Sequence, residues 1–531
     1  MNRKYTWLLL PAGGILTGFC LLFPKIGFLE WIAMVPALLF LFDRGERGEG
    51  RYRRWYLWGF LYFYPFYITV FHWFCNLYPM EFMGVNRVEA VLLVILCWFG
   101  LSLLQAVFSA LIFPLFAWLS RHKPWQGRGI LLPLLFAAQY VIAEWSQTLT
   151  WAGVPWARLA IGQVEYGVIV GSAALFGSYF ITFALVLCNG YLAYAILHRR
   201  EMKRLRVAAL AAAAIFVLHL GVGIVGYATA KPDAGKPVTV AAIQGNVGSN
   251  RDWTHKSWQD TKEIYREYTA RAAEVGADIV VFPETFVPGN LRESNELGQY
   301  VRSLAIANKV TILCGAFYTD ADGAQYNAVF MVHPDGGIDE TVYAKRHLVP
   351  FGEYVPWRGF FEAALPLITE MCMVDEDLAF GEGSALFAYE GDKIGALICF
   401  DSIYEALTLE SVRDGAGLLV LPTNDSWFTD SRGIYMHHAQ GRLRAVESGR
   451  WIVRCADTGI SSVIAPDGSS YDDQPPLVKG MAVHIATVKD TRTLYSRIGN
   501  LLIVLLLPIL LAAPITAAYQ HFYKKRTEVV D

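Results

Sequence analysis

Gly395-Ala396-Leu397-Ile398-Cys399-Phe400-Asp401 is the stretch whose reading decides the fold. Its apolar residues form a buried-strand pattern that ends in a thiol, an aromatic ring and an acid. A thiol at the end of a buried strand sits on rigid scaffold and faces a turn. There the next backbone N–H, that of Phe400, is available to stabilise an oxyanion. Taken alone, Cys399 reads equally as a small buried hydrophobe, so the flanking sequence has to decide. Similar β-rich runs occur at Val238–Gln244, Ile279–Phe282, Thr311–Phe317, Ala328–Val332, Ile394–Cys399, Leu418–Pro422, Trp451–Cys455 and Ser462–Ala465. Helical stretches at Asp260–Val275, Leu297–Asn308 and His437–Ser448 lie among them. This alternation specifies an α/β or α+β sandwich domain over residues 232–495, long enough for a substantial core.

The rest of the chain is strongly apolar. It is 54% hydrophobic and 17% charged, with a mean hydropathy of +0.34. A soluble chain carries roughly 25% charge. Eight runs approach the ~20 residues a membrane span needs: Trp7–Phe23, Ile26–Phe42, Trp55–Cys75, Ala90–Ser120, Ile130–Trp145, Val168–Leu197, Val207–Tyr227 and Ile498–Tyr519. Of the 16 tryptophans, eleven fall at or before Trp156, beside these runs, as interfacial belts would require. The expected organisation is a membrane domain of seven spans over 1–231, the sandwich domain over 232–495, and an eighth span with a short tail over 496–531.

Loop charge orients the spans. Arg3 and Lys4, Arg44 to Arg54, Arg121 to Arg128, Arg199 to Arg206, and Lys524 to Arg526 form basic clusters on alternate loops. The intervening loops hold only Lys25, Arg87 and Arg158. The positive-inside rule puts every cluster in the cytoplasm, with both termini, and the sandwich domain outside. The first apolar run has no A-x-A-like cleavage site and is read as an uncleaved span. A net charge of −2 gives no case for a nucleic-acid partner. The eight cysteines contain no C-x-x-C pair, which signals neither a zinc site nor a disulfide framework, and no metal or other cofactor is expected.

Two further strand ends carry reactive side chains. Ile279-Val280-Val281-Phe282-Pro283-Glu284 places a carboxylate directly after a buried run. Tyr343-Ala344-Lys345-Arg346-His347-Leu348-Val349-Pro350-Phe351-Gly352-Glu353 carries a lysine, and an acid eight residues on. Each alone is ordinarily a surface charge. With Cys399 they make a complete nucleophilic site. Glu284 would take the thiol proton, while Lys345 would favour the thiolate and then the oxyanion.

Phe282-Pro283-Glu284, Lys345 and Cys399, in this order, resemble the Glu-Lys-Cys site of the nitrilase superfamily. Thr423-Asn424-Asp425-Ser426-Trp427-Phe428 and the helix from His437 through Arg444 and Glu447 resemble it too. Gln244-Gly245-Asn246, Leu348 to Pro356, Tyr495 to Asn500 and the arrangement of spans are similar to the apolipoprotein N-acyltransferases, the superfamily's membrane-embedded branch. The resemblance implies an αββα sandwich on the periplasmic side of a bacterial inner membrane. It implies a ping-pong reaction in which Cys399 takes an acyl chain from a phospholipid as a thioester. The chain then passes to the α-amino group of the diacylglyceryl-cysteine of an apolipoprotein. By the same resemblance Glu284 is base and acid, Lys345 supports the tetrahedral intermediates, Glu353 orders the site and Trp253 is a functional tryptophan. The family often has Tyr and Glu directly after the nucleophile, where this chain has Phe400 and Asp401.

Trp357, Phe360, Phe361, Leu365, Leu367, Ile368, Met371 and Met373 follow Glu353 as an apolar segment. Beside a bilayer it would serve as a lid or acyl-chain contact that keeps water from a thioester; in a soluble domain it would be core. Competing readings are a membrane-tethered nitrilase-type amidase acting on small amides and a transporter with an external binding domain. The spans hold few ionisable residues, against the transporter. Glu144, near a span end, reads as a solvated interfacial acid. His347, His437 and His438 read as solvated or locally hydrogen-bonded.

Overall fold

A computed structural model of the chain describes residues 3–80, 85–248, 255–293, 296–364 and 376–527. Trp253 lies outside the described residues, as do Leu365, Leu367, Ile368, Met371 and Met373 of the apolar segment. The chain divides into two compact units. One comprises Met1–His72, Ile95–Tyr227 and Ile498–Asp531; the other comprises Trp73–Val94 and Ala228–Arg497.

The first unit is helical. Among the described residues, seven helices are long and apolar enough to cross a membrane: Tyr5–Leu22, Pro24–Glu46, Arg87–Arg121, Gly129–Ser146, Ser178–Leu197, Met202–Ala230 and Leu501–His521. The third expected span is the helix Tyr52–Val70, which is not among the seven. Its five tyrosines lower its hydropathy, yet Tyr62, Phe63, Phe66 and Tyr67 are buried in the bundle. It approaches helix Leu9–Leu22 so closely that a Cβ on Gly14 would lie 2.2 Å from the Tyr62 carbonyl oxygen, and Thr17 and Tyr62 share a hydrogen bond. The run Val168–Leu197 is not one helix. Short turns at Gly167–Val170 and Ala173–Phe176 end at Gly177, whose φ of +78° turns the chain before Ser178–Leu197 begins.

Glu144 departs from its reading as a solvated acid. It is buried, accepting the Leu159 N–H at 2.9 Å and the Thr182 hydroxyl at 2.8 Å. The chain folds back over the helix end through 155–163, replacing solvent with donors.

Among the described residues, the second unit has thirteen strands: β1 Lys236–Gln244, β2 Ile279–Val281, β3 Val287–Asn290, β4 Thr311–Thr319, β5 Gln325–Val332, β6 Ile338–Ala344, β7 Leu386–Tyr389, β8 Asp392–Ala396, β9 Leu418–Thr423, β10 Ile452–Ala456, β11 Ser462–Ile464, β12 Ser470–Tyr471 and β13 Gly480–Val488. One sheet runs β13-β1-β2-β4-β5-β6, with β3 beside β4; the other runs β12-β11-β10-β9-β8-β7. Both sheets are parallel at their centres and antiparallel at their edges.

Side-chain alternation makes the layers. Val238, Val240 and Ala242 of β1, with Ile279 and Val281 of β2, join Ile394, Ile398, Val420 and Val453 in the core between the sheets. Ala241, Ile243 and Val280 point the other way, into a second core with Tyr265, Val301 and Leu304 of helices His255–Glu274 and Glu296–Asn308. Helices Glu405–Asp414 and Arg432–Ser448 pack together beside the second sheet. The result is a nitrilase-like αββα sandwich, as expected. Residues buried on both faces read as continuous apolar runs, which is why the central strands are plain in the sequence.

Candidate active site

Three of the expected site residues lie just past the carboxyl ends of strands: Glu284 after β2, Lys345 after β6 and Cys399 after β8. Open α/β sheets commonly gather ligands at this edge. The strand leading to the cysteine is shorter than expected. β8 ends at Ala396. Leu397 still bonds to β9, its N–H donating to Val420 O at 3.0 Å. Cys399 then turns, with φ +46°, into the short helical turn Cys399–Ile403. A left-handed non-glycine residue costs on the order of 1–3 kcal/mol. The surroundings impose it, and the residue is half-buried at this sharp bend.

Lys345 is the hub. It is 1% exposed, and its Nζ lies 2.8 Å from Glu284 Oε1 and 2.9 Å from Glu353 Oε1. Burial opposes its charge, but the two carboxylates outweigh burial and hold the ammonium well above the ordinary lysine value. The remaining carboxylate lone pairs are filled by the backbone. Asn424 N–H donates to Glu284 Oε2 at 2.8 Å, and Val349 N–H to Glu353 Oε2 at 2.8 Å. Asn327 Nδ2 donates to both acids, to Glu284 Oε1 at 2.8 Å and Glu353 Oε1 at 2.9 Å. Its backbone oxygen receives the Lys345 N–H at 2.8 Å.

Burial pushes the Cys399 thiol well above its ordinary value. Glu284 adds to this, Lys345 pulls back, and Asp425 raises it further. Burial thus favours the protonated thiol, and the two acids favour the charged ammonium.

Asp401 is buried and serves as a clamp. Its Oδ2 accepts the Tyr343 hydroxyl at 2.8 Å and the Ile398 N–H at 3.1 Å. Its Oδ1 accepts the N–H groups of His347 at 2.8 Å and Arg346 at 3.3 Å. The lysine loop is thus tied to the cysteine turn. Burial raises the Asp401 carboxyl to about 6, against the pull of Lys345 and of these hydrogen bonds. The Phe400 ring lies edge-on to Tyr404, their centroids 5.7 Å apart.

Sequence reading did not single out Asn327, the Asn424 N–H or Ser402. Asn327 follows Gln325 and Tyr326 at the polar start of β5, and only its burial sets it apart from them. Of the two readings of His437, solvated or locally hydrogen-bonded, the second holds, and the ring is buried. Its Nδ1 is 2.8 Å from Asp425 Oδ1, and its Nε2 is 3.1 Å from the Cys399 carbonyl oxygen. His438 is buried, with Nε2 3.0 Å from Ser462 Oγ. Among the described residues no group of three His, Cys, Asp or Glu is placed to hold a metal ion.

Known proteins align with both units. A family model described as carbon-nitrogen hydrolase matches residues 239–493. A second, described as apolipoprotein N-acyltransferase N-terminal domain, matches residues 13–191. The apolipoprotein N-acyltransferase of Gloeobacter violaceus is 29% identical over 481 residues, covering 89% of this chain and 87% of the relative. That of Azotobacter vinelandii is 31% identical over 410 residues, covering 75% and 76%. Among solved structures, Saccharomyces cerevisiae Nit3, a member of branch 10 of the nitrilase superfamily, is 20% identical, covers 50% of this chain and 93% of its own, and has a TM-score of 0.37. The two models between them span most of the sequence, relatives of one name align across both units, and the chain belongs to the apolipoprotein N-acyltransferase family.

Proposed function

We propose that this membrane enzyme moves an acyl chain from a phospholipid, through a thioester on Cys399, to the α-amino group of an apolipoprotein's diacylglyceryl-cysteine. The observation that carries the chemistry is Lys345 held between Glu284 and Glu353, with both Glu284 and Lys345 within electrostatic reach of Cys399. Glu284 takes the Cys399 proton as the sulfur attacks the ester carbonyl. The tetrahedral oxyanion is met by Lys345 and the Phe400 N–H. Its collapse expels the lysophospholipid oxygen, which takes the proton from Glu284. The acceptor amine then attacks the thioester and gives its proton to Glu284. The thiolate leaves and is reprotonated, so no proton or charge is left over. Glu353 and Asn327 hold Lys345 and Glu284 in register, and Asp401 ties the two loops. Trp253, by family resemblance, binds substrate or supports the site.

The setting supports a lipid donor. Among the described residues, seven apolar helices and Tyr52–Val70 support a reading of eight spans, seven in 1–231 and the last in 496–531, with the catalytic domain in 232–495. The alternation of basic loops puts both termini in the cytoplasm and the catalytic domain in the periplasm. Trp357 and Phe360 are 69% and 60% exposed, which fits a lipid-facing segment. The reaction is tested by incubating the purified full chain with labelled phospholipid and a diacylglyceryl-cysteine peptide. N-acylated peptide and lysophospholipid should form in equal amounts. Release of ammonia from small amides without acyl transfer would overturn the reading in favour of an amidase.

A further inference from the structure

We propose that Ser402 and His437 are positioning residues that aim the Phe400 N–H at the oxyanion by holding the far end of the same peptide unit. The inference rests on Cys399 being the nucleophile. The peptide bond between Cys399 and Phe400 is planar, so its C=O and N–H point in opposite directions and move together. Whatever fixes the Cys399 carbonyl oxygen fixes the Phe400 N–H.

The carbonyl oxygen is gripped from inside the fold. Ser402 Oγ donates to it at 2.7 Å. His437 Nε2 lies 3.1 Å from it and 3.2 Å from Ser402 Oγ, backing both. The histidine is itself anchored: Nδ1 is 2.8 Å from Asp425 Oδ1, and Arg454 Nη2 donates to Asp425 Oδ2 at 2.6 Å. Ser402, Asp425 and Arg454 have no exposed surface and His437 is 1% exposed. Asp401 and Tyr404 also close the turn, their N–H groups donating to Ile398 O at 2.9 Å and to Asp401 O at 3.1 Å. A flip of the Cys399–Phe400 peptide would swing its C=O outward and its N–H inward. The Ser402–His437 grip opposes that flip.

The device acts only where an oxyanion forms, and this separates it from a general structural role. Acylation of Cys399 by a phospholipid passes through a tetrahedral oxyanion. Alkylation by iodoacetamide is displacement at a saturated carbon and forms none. In Ser402→Ala and His437→Ala of the full chain, single-turnover acylation should fall at least about tenfold, a misaimed donor being a partial version of a lost one. The alkylation rate should stay within about twofold, since the thiol and its neighbours are untouched. Ser402→Thr keeps the hydroxyl and should recover most of the acylation. If His437→Ala does not fold, the Ser402 pair decides. Unchanged acylation in Ser402→Ala, or acylation and alkylation falling together, overturns the proposal. A wild-type chain that alkylates at Cys399 but never acylates there would instead remove the nucleophile reading itself.

Discussion

Asn327 is where a small change should be felt most. Its side-chain nitrogen donates to Glu284 and Glu353 at once. Both partners are carboxylates that only accept, so the amide has one orientation. Asn327→Ala removes both donors and leaves Lys345 alone between two acids. A hydrogen bond to a charged group is worth about 1.5–3 kcal/mol. If one such bond's worth is lost in the transition state, acylation slows by roughly ten- to 150-fold. Asn327→Asp keeps the shape and adds a third acid around one cation. Its loss should be larger, about 10³-fold or more at neutral pH. It should recover relative to wild type as pH falls, because only the protonated acid can donate. The assay is single-turnover release of lysophospholipid from labelled phospholipid by the purified chain, with thermal melts to confirm folding. Wild-type acylation in both variants would refute the bridging role.

Lys345→Met leaves two buried carboxylates without a cation; melting of the catalytic domain should report a loss of about 3–5 kcal/mol along with activity. A melt unchanged from wild type would mean the acids are better solvated than the structure has them. Burial, then Glu284, raises the Cys399 thiol, so iodoacetamide alkylation should be slow at pH 7 and still rising above pH 9. Glu284→Gln removes a repelling charge and should move that profile to lower pH while abolishing acyl transfer; a profile that stays put would place the two groups out of contact. Replacing Trp357 and Phe360 together by Ala should lower turnover of bilayer phospholipid about tenfold or more, each large buried side chain contributing ~1.5–3 kcal/mol to lipid contact. Melting should barely move, both being exposed; equal loss of turnover and stability would mark them as core.

The central strands were legible because both their faces are buried, so β1, β2, β4, β8, β9 and β10 read as apolar runs ended by turn residues. The strands left unread, β3, β6, β7, β12 and β13, are edges or short pieces. β6, Ile338-Asp339-Glu340-Thr341-Val342-Tyr343-Ala344, is mostly half-exposed and polar. The apolar run Trp55–Cys75 marks the third span, which the helix Tyr52–Val70 supplies although its tyrosines depress its hydropathy. The break at Gly177 was invisible because the residues on either side are equally apolar. Glu284, Lys345 and Cys399 stood out as reactive groups at strand ends. Their support did not: Asn327 meets Glu284 across 43 residues and Asp401 meets His347 across 54, distances no local pattern encodes. The left-handed Cys399 was also hidden, since nothing in Ile398-Cys399-Phe400 departs from a strand.

The central claim is that Cys399 carries the acyl chain. Intact-mass measurement of the purified chain after incubation with phospholipid alone tests it most directly. The account predicts one added acyl mass per chain, mapped to Cys399, removed by neutral hydroxylamine and absent in Cys399→Ala. No adduct on the wild-type chain, or one that persists in Cys399→Ala, would contradict it.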